Sequence, residues 1–380
     1  MKKIVVLGST GSIGVSTLEV AAAFPDALRV VGLGARRNIA VLREQIERFH
    51  PLVVAVSDEL KARELQGLVG GTVEVLAGEE GIARLARMGE ADTVVSAIVG
   101  AVGLVPTLEA IRAGKEVALA NKEVLVCGGE IIMREASARG VEIMPVDSEH
   151  SALHQCLRAG ARSEVKRLIL TASGGPFLDW SLEEMGGATP EDALKHPRWE
   201  MGKKVTIDSA TMMNKALEMI EARWLFGIPP ERIDVVVHPE SVVHSLVEFE
   251  DGSVIAQMSA ADMRIPIQYA LLYPRRSAGQ WGSLGMDDLR ALHFEKPDTL
   301  RFPVLGLARR AMEVGGTLPA VLNAANEIAV ERFLAGEIPF TRIPALTGEV
   351  MGKHISVDHP SLDEVLRADA WARRETRGSA

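Results

Sequence analysis

Seven short apolar runs alternate with longer amphipathic stretches through the first 150 residues, and this alternation limits the possible folds more than any other feature. The runs lie at 4–7, 29–33, 52–56, 73–76, 93–98, 117–120 and 141–146. Strands that alternate with helical segments of about ten or more residues are typical of stacked βαβ units. Because the runs are continuously apolar, they favour a parallel sheet covered by helices on both faces. The sequence predicts an α/β protein with a doubly wound N-terminal domain.

The pattern changes after about residue 150. Strand-like runs resume at 234–238, 242–249 and 253–259, and Glu250-Asp251-Gly252 predicts a hairpin between the last two. Four segments with helical periodicity close the chain. The prediction therefore divides the chain into a doubly wound, Rossmann-like domain at 1–150, a central α+β domain at 151–274, a linker at 275–300 and a helical domain at 301–380.

Composition and charge exclude several classes of protein. Of the 380 residues, 47% are apolar and 24% are charged, the balance of a folded globular protein. No apolar run approaches the roughly 20 residues that cross a bilayer, and the first run is too short for a signal peptide. We therefore expect a cytoplasmic protein without a membrane partner. A net charge of −9 gives no general attraction for nucleic acid, so an anionic ligand needs a local cluster of donors.

Three glycines separate the first predicted strand from the first helix, in GSTGSIG at residues 8–14. Gly8, Gly11 and Gly14 allow the backbone to approach a pyrophosphate at a helix N-terminus, where N–H groups and the helix dipole favour negative charge. Hydroxyl donors are added by Ser9, Thr10 and Ser12. The alternative is a plain tight turn, but the strand before and the helix after favour dinucleotide binding.

The phosphate state of the cofactor depends on the end of the second strand, where chains that bind NAD usually carry an acidic residue. The sequence there is GLGARRN at 32–38. Arg36 and Arg37 can pair with a 2′-phosphate, so the sequence favours NADPH over NADH. The alternative is a pair of ordinary surface arginines.

Asp147 and Glu149 follow the last apolar run of the first domain. Residues two apart at a strand end point the same way, so both carboxylates can converge where open α/β sheets bind ligands. Two carboxylates repel each other unless a positive charge lies between them, and without a cysteine cluster Mg²⁺ or Mn²⁺ is the simplest choice. The alternative is a cap for the following helix, with Asp147 or Ser148 as the cap residue.

Three further segments carry polar groups that suit an anion or a metal. On a predicted helix, Asn214 and Glu218 share one face with Lys215 beside them, although a solvent-facing stripe is the alternative. In TASGGPF, Ser173 precedes two glycines and can reach an anion, and a plain turn is the alternative. In HPRWEMGKK, His196 and Trp199 precede Gly202 on a loop that we interpret as a lid. The alternative is that Trp199 is simply packed under the loop. A pair of histidines in strand-like segments is interpreted as structural: His238 and His244.

The order of these motifs, with ANKE at 120–123 and VDSEHSA at 146–152, closely resembles the 1-deoxy-D-xylulose 5-phosphate reductoisomerase family. The resemblance runs from residue 3 through the C-terminal helices. It implies an oxidoreductase and isomerase that converts deoxyxylulose phosphate to 2-C-methyl-D-erythritol 4-phosphate with NADPH and Mg²⁺ or Mn²⁺, in the non-mevalonate route to isoprenoids. It also implies a homodimer, an NADPH-binding first domain and a catalytic and dimer-forming central domain.

The resemblance also assigns residues by motif. Its metal ligands match Asp147, Glu149 and Glu218, and its phosphate donors match Ser173, Ser209, Asn214 and Lys215. Its other substrate and catalytic positions match Lys122, Ser148 and His196, with Trp199 on the lid. Its cofactor contacts match Thr10, Gly11, Ser12, Ile13, Asn38, Asn121, Glu123 and Gly202, beside Gly8, Gly14, Arg36 and Arg37. The Arg36-Arg37-Asn38 loop departs from the Gly-Lys-Asn form of the family but keeps the positive charge.

Two other functions are open to the sequence. A metal-free NADP-dependent dehydrogenase that works through a thioester needs an activated cysteine, and the chain has only Cys127 and Cys156, neither with a recognisable basic partner. A protein that only senses NADP(H) needs no set of three carboxylates. In the family's reaction the identity of the general base, and the choice between a retro-aldol path and an α-ketol shift, are open.

Overall fold

The computed structural model describes residues 1–199, 201–289 and 291–379. These form two compact units. The first unit contains Met1–Val124, Ile132–Ser151 and Asp262–Gly282. The second unit contains Leu125–Ile131, Ala152–Ala261 and the described residues from Ser283 onward.

A seven-stranded sheet forms the centre of the first unit, with the strand order β4-β3-β2-β1-β5-β6-β7. Every neighbouring pair is parallel, which confirms the doubly wound sheet predicted from the sequence. The strands are β1 (Lys2–Leu7), β2 (Leu28–Ala35), β3 (Val53–Val56), β4 (Glu74–Ala77), β5 (Thr93–Ser96), β6 (Glu116–Leu119) and β7 (Ile143–Pro145). Each overlaps one of the seven predicted runs.

A four-stranded mixed sheet, in the order β11-β10-β8-β9, belongs to the second unit. Its strands are β8 (Val165–Ala172), β9 (Ile233–Val237), β10 (Val243–Phe249) and β11 (Val254–Met258). The predicted hairpin is confirmed, because β10 and β11 are antiparallel and their turn contains Gly252 at a φ of 86°. Strand β8 pairs antiparallel with β10 and parallel with β9.

Helices account for most of the remaining described chain. Those up to the second sheet are α1 (Ser12–Ala23), α2 (Ile39–Phe49), α3 (Glu59–Val69), α4 (Gly78–Ala86), α5 (Leu104–Arg112), α6 (Lys122–Arg139) and α7 (Ser148–Cys156). Those that follow are α8 (Leu182–Gly186), α9 (Pro190–Ala193), α10 (Lys203–Ala210), α11 (Met213–Phe226), α12 (Arg264–Leu272), α13 (Val304–Val314), α14 (Leu318–Leu334), α15 (Arg342–Lys353) and α16 (Leu362–Gly378). The last four match the predicted C-terminal helices. Within the described ranges, none of the helices combines the length and apolarity needed to cross a bilayer.

Residues 262–282 fold with the first unit, whereas the prediction assigned them to the central domain and the linker. Helix α12 explains the difference, because its buried Ile267 and Leu271 join the hydrophobic core around β1. The guanidinium of Arg264 also binds Glu19 on α1 at 3.1 Å and lies over the ring of Trp281. The predicted domain boundaries as a whole stay a prediction.

The glycine-rich loop after β1 is closely packed. Gly8 has a φ of 84°, and a Cβ there would lie 2.4 Å from the carbonyl oxygen of Ala97. A Cβ on Gly14 would lie 2.2 Å from the carbonyl oxygen of Gly8. These two positions accept only glycine, because a side chain needs a backbone shift in a buried segment.

We expect Gly14→Ala to lower the free energy of unfolding by about 3 kcal/mol or more, because overpacking against backbone cannot relax through a rotamer change. The matched control is Gly67→Ala in α3, where an added Cβ meets no atom within 4 Å. There alanine should raise the stability by about 0.5–1 kcal/mol. Urea unfolding curves measure both changes, and equal midpoints for the two variants would contradict the packing described.

Candidate active site

The glycine-rich loop leads directly into the N-terminus of α1 in the first unit. Helix α1 begins at Ser12, with Gly11 as its N-cap and without a side-chain cap. Gly11 and Ser12 are exposed, and the side chain of Ile13 packs on the core. A helix N-terminus that carries no capping side chain leaves its first N–H groups directed at any ligand and favours an anion. The predicted pyrophosphate loop therefore has the expected local geometry.

Ser9 differs from the prediction. Its side chain is fully buried, and its hydroxyl donates to Oε1 of Gln45 at 2.8 Å. The amide of Gln45 donates in return to the carbonyl oxygen of Ser9 at 2.9 Å. Ser9 is therefore a support of the loop, and the hydroxyl donors that can face a ligand are those of Thr10 and Ser12.

The arginines after β2 have different surroundings. Arg36 and Arg37 are both exposed, and Nε of Arg37 pairs with Asp58 at 2.8 Å. The Lys61 N–H and the Arg37 guanidinium lower the pKa of Asp58. Arg36 has no carboxylate partner within the part of the chain that the structure describes. Arg36 is therefore better placed than Arg37 to meet a 2′-phosphate, while Asn38 caps α2 through Val41 N–H.

Asn121 joins two loops at the ends of neighbouring strands. Its amide donates to the carbonyl oxygens of Ile98 and Gly100, the latter at 2.9 Å, and its side-chain oxygen accepts from Val124 N–H at the start of α6. The next two residues, Lys122 and Glu123, are also buried. Asn121 therefore fixes the loop after β5 against the start of α6, and its predicted contact with the cofactor stays a prediction.

Asp147 lies beside two basic side chains of the first unit. Nζ of Lys122 lies 2.6 Å from its Oδ2, and Nδ1 of the buried His150 lies 3.5 Å from its Oδ1. Burial opposes ionisation, but the charge of Lys122 and the hydrogen bond from His150 hold the pKa of Asp147 well below its usual range. The carboxylate therefore stays ionised at neutral pH.

Asp147 also has the capping role that the sequence left open. Its Oδ1 accepts from Glu149 N–H at 3.3 Å at the start of α7. The Ser148 hydroxyl donates to the carboxylate of Glu149. A hydrogen bond to one oxygen leaves the other lone pairs of a carboxylate available, so capping and metal binding are compatible.

The polar cluster on α11 in the second unit is buried, so a solvent-facing stripe is the wrong interpretation. Glu218 is fully buried and Lys215 is 3% exposed. Nδ2 of Asn214 donates to Oε1 of Glu218 at 2.7 Å, and Nζ of Lys215 pairs with Oε2. The spacing of three and four residues on one helix face produces this arrangement.

His196 lies between two serines of the second unit. Its Nε2 is 3.2 Å from the hydroxyl of Ser173 and 3.1 Å from that of Ser209. Its Nδ1 accepts from Trp199 N–H at 2.9 Å, so in the neutral ring Nε2 carries the proton. Burial lowers the pKa of His196, which favours this neutral form. The serine oxygens can accept from His196, and their own protons are then directed elsewhere.

Close backbone packing brings the two serines together. Gly175 has a φ of 68°, and a Cβ there would lie 2.6 Å from the carbonyl oxygen of Ser209. A second contact orients α10, because Nδ2 of Asn326 on α14 donates to Asp208 at 2.8 Å. Lys204 binds the other oxygen of Asp208 at the same distance. No local sequence pattern marks Asp208 or Asn326, which are separated by 118 positions.

The predicted lid residues, and the two histidines interpreted as structural, also belong to the second unit. Trp199 is half-buried, with its ring centroid 6.2 Å from that of His244. Gly202 is exposed and is the N-cap of α10. The structural interpretation of His238 and His244 is supported, since both are buried and bonded to backbone groups. Closure of this loop stays a prediction.

The thioester alternative depends on the two cysteines, Cys127 and Cys156. Both are buried and neither forms a disulfide. Burial raises the pKa of the Cys156 thiol to about 12, so the thiolate needed for covalent catalysis is not formed at neutral pH. The geometry therefore gives no support to a thioester mechanism at Cys156.

Comparison with known proteins gives matches along nearly the whole chain. The family model for 1-deoxy-D-xylulose 5-phosphate reductoisomerase matches residues 4–129. The model for its C-terminal domain matches residues 143–226, and the model described as the DXP reductoisomerase C-terminal domain matches residues 258–375. The reductoisomerase of Pelotomaculum thermopropionicum is 54% identical over 98% of this chain and 97% of its own. That of Symbiobacterium thermophilum is also 54% identical, over 99% and 98%.

Solved structures are similar over the same extent. The reductoisomerase of Zymomonas mobilis in complex with NADPH has a TM-score of 0.93 and 44% identity, and the match covers 99% of this chain and 98% of that one. A reductoisomerase in complex with NADPH, fosmidomycin and magnesium has a TM-score of 0.93 and 40% identity over the same shares.

Proposed function

The chain belongs to the 1-deoxy-D-xylulose 5-phosphate reductoisomerase family, and we propose that the side-chain clusters described above perform this family's reaction. The reaction is the NADPH- and divalent-metal-dependent conversion of 1-deoxy-D-xylulose 5-phosphate to 2-C-methyl-D-erythritol 4-phosphate. The observation that carries the assignment of residues is the pair of lysine–carboxylate contacts, Lys122 with Asp147 and Lys215 with Glu218. The roles of individual residues are argued below.

We assign the binding of the NADPH cofactor mainly to the first unit. The uncapped start of α1 suits the pyrophosphate, and the exposed Arg36 suits the 2′-phosphate. The side chain of Asn38 caps α2 through its amide oxygen, so its NH2 group and its backbone are what it offers to the adenosine end. Cofactor contacts are also assigned to Gly8, Thr10, Gly11, Ser12, Ile13, Gly14, Arg37, Asn121, Glu123 and Gly202.

Asp147, Glu149 and Glu218 are assigned as the metal ligands. All three offer carboxylate oxygens, the donors that Mg²⁺ and Mn²⁺ prefer. Asp147 fits this role because its low pKa keeps it ionised, and Glu218 fits because a fully buried carboxylate needs positive partners. The lysine beside each of these two carboxylates is such a partner, and a divalent ion adds the charge that a set of three carboxylates requires.

We assign the binding of the substrate's phosphate group to the second unit. With Nε2–H of His196 donating to a serine oxygen, Ser173 and Ser209 can direct their own protons to phosphate oxygens. Nδ2 of Asn214 and Nζ of Lys215 add donors from α11. Four such donors in a partly buried setting bind a dianion more strongly than they would in water. Ser148 and Trp199 are assigned to the rest of the substrate.

The residues of the protein hold the reacting groups in place and stabilise the charge that develops during the reaction. A divalent ion supplies Lewis-acid stabilisation of the developing oxyanion, and NADPH supplies the hydride. Lys122 adds a fixed positive charge next to Asp147, where negative charge increases in the transition state. His196, neutral and hydrogen-bonded at both nitrogens, holds the serines rather than transferring a proton. Binding of the phosphate supplies the free energy that orders the Trp199 loop over the reacting groups.

A homodimer formed through β11 is also proposed. Strand β11 is an edge strand, and its side chains Val254, Ile255 and Met258 are exposed at 47%, 37% and 36%. Apolar side chains along an open sheet edge are a typical site of pairing with another chain.

We expect Ile255→Lys to convert the dimer to a monomer, because a lysine placed in an apolar interface loses its hydration. Sedimentation velocity measures the change. Val314→Lys, at an exposed valine on α13, is the matched control and should stay dimeric. A monomeric wild type, or a dimeric Ile255→Lys variant, would rule out this interface.

A cytoplasmic location is proposed as well, because the two cysteines form no disulfide, as is usual in a reducing compartment. Activity confined to the soluble cytoplasmic fraction of the producing cells is the expected result. Activity in an extracellular or periplasmic fraction would contradict it.

The activity itself is measured as NADPH oxidation at ~340 nm with purified protein and deoxyxylulose phosphate. We expect turnover to stop when EDTA removes the metal and to return when Mg²⁺ or Mn²⁺ is added. Glu218→Gln keeps the shape of the side chain but removes its charge, so turnover should fall by at least about 100-fold. The same charge change at the exposed Glu313 on α13 should leave turnover unchanged.

The alternatives give different results in this assay. Turnover that resists both EDTA and Glu218→Gln would remove the metal site and leave a metal-free dehydrogenase. NADPH binding without turnover under any divalent cation would indicate a sensor, and Asp147→Asn would then leave NADPH binding unaffected.

A further inference from the structure

A buried glutamine, Gln45, is bonded to the glycine-rich loop although it lies outside the loop. The side chain of Gln45 on α2 is 7% exposed, and Ser9 is fully buried. The Ser9 hydroxyl donates to Oε1 of Gln45 at 2.8 Å, and Nε2 of Gln45 donates to the Ser9 carbonyl oxygen at 2.9 Å. The two residues therefore form a closed pair of reciprocal hydrogen bonds.

This pair completes the hydrogen bonding of Ser9. The Ser9 N–H donates to the carbonyl oxygen of Gly34 on β2 at 2.8 Å. Gln45 then satisfies both the carbonyl oxygen and the hydroxyl, so the N–H, carbonyl and hydroxyl of the buried Ser9 are all hydrogen-bonded. Buried backbone groups without partners are costly, so this arrangement strongly favours one conformation of the loop.

Helix α2 packs firmly in the core of the first unit, so it can hold the glycine-rich loop in place. Ile39, Leu42 and Ile46 are buried in the core of the first unit, and Asn38 caps the helix. The same helix therefore begins at the loop assigned to the 2′-phosphate and, seven residues after its N-cap Asn38, holds the loop assigned to the pyrophosphate. The side chain of Gln45 reaches Ser9 from this buried face of the helix.

We propose that Gln45 is a positioning residue for NADPH, acting through Ser9 to hold the glycine-rich loop in its binding conformation. The proposal rests on the assignment of that loop to NADPH. Helix α1 has no side-chain cap, so the loop before it is held by its backbone contacts and by the Ser9–Gln45 pair. When only a fraction of the molecules has the competent loop, the apparent dissociation constant increases by the inverse of that fraction.

The test compares Gln45→Met with the wild type. Methionine keeps the size of the side chain and its helix propensity but forms neither hydrogen bond. We expect the Kd for NADPH, measured by quenching of tryptophan fluorescence, to increase about tenfold, since two buried polar groups of Ser9 lose their partners. The KM for NADPH should increase in parallel, while kcat at saturating NADPH and the KM for deoxyxylulose phosphate change by less than about twofold.

Two other variants test the hydrogen bonds between Gln45 and Ser9 further. Gln45→Glu keeps an acceptor for the Ser9 hydroxyl but sets a carboxylate oxygen against the Ser9 carbonyl oxygen, so its Kd should increase at least as much as that of Gln45→Met. It also tests the proposal if the methionine variant fails to fold. Ser9→Ala combined with Gln45→Met should weaken NADPH binding by less than the product of the single changes, because the two side chains act as one unit. Gln66→Met, at an exposed glutamine on α3, is the matched control and should bind NADPH as the wild type does.

The outcomes are distinguishable. A lower melting temperature with unchanged Kd and KM for NADPH would show that Gln45 supports only stability and would overturn the proposal. Equal increases in the KM values for NADPH and deoxyxylulose phosphate would also overturn it, because the effect would not be specific to the cofactor. A wild-type protein that does not bind NADPH would refute the proposed function instead.

Discussion

Parallel pairing in the seven-stranded sheet determines where the functional groups of the first unit lie. Because the strands run in one direction, the segments that follow them all emerge at the same edge. The glycine-rich loop follows β1, the two arginines follow β2, and Lys122 and Asp147 follow β6 and β7. Residues distant in sequence are thereby brought to one edge, where Nζ of Lys122 reaches Oδ2 of Asp147 at 2.6 Å. Hydrogen bonds across strand ends, such as those of Asn121 to Ile98 and Gly100, then fix the loops.

The second feature of the site is that its buried carboxylates are compensated by lysines. Asp147 and Glu218, each assigned to the metal, lie beside a lysine, and both pairs are largely removed from solvent. An isolated buried carboxylate would become protonated, and the adjacent ammonium group opposes this for Asp147 by lowering its pKa. Such pairs bring little net stability, since desolvation offsets much of the attraction. The presence of these pairs is better explained by the proposed binding of charged ligands than by folding.

Local patterns were sufficient to predict much of the fold, and long-range side-chain contacts were not. The seven strands, the β10–β11 hairpin and the C-terminal helices were visible because apolar periodicity and turn residues are local signals. The buried pairing of Lys215 with Glu218 was visible only as a helical spacing that also suited a solvent-facing stripe. The bonds of Gln45 to Ser9 and of Asn326 to Asp208 join residues 36 and 118 positions apart. Nothing in their neighbouring sequence marks them. The return of α12 to the first unit was missed for the same reason.

The metal site proposed above consists of Asp147, Glu149 and Glu218 as the ligands of one divalent ion. Titration with Mn²⁺, followed by the electron paramagnetic resonance signal of the free ion, tests this directly and without substrate or turnover. The wild type should bind about one Mn²⁺ per chain, and Asp147→Asn, Glu149→Gln and Glu218→Gln should each weaken binding by at least about tenfold, since affinity depends on the number of charged oxygen ligands. Wild-type affinity in all three variants would contradict the claim and place the metal elsewhere.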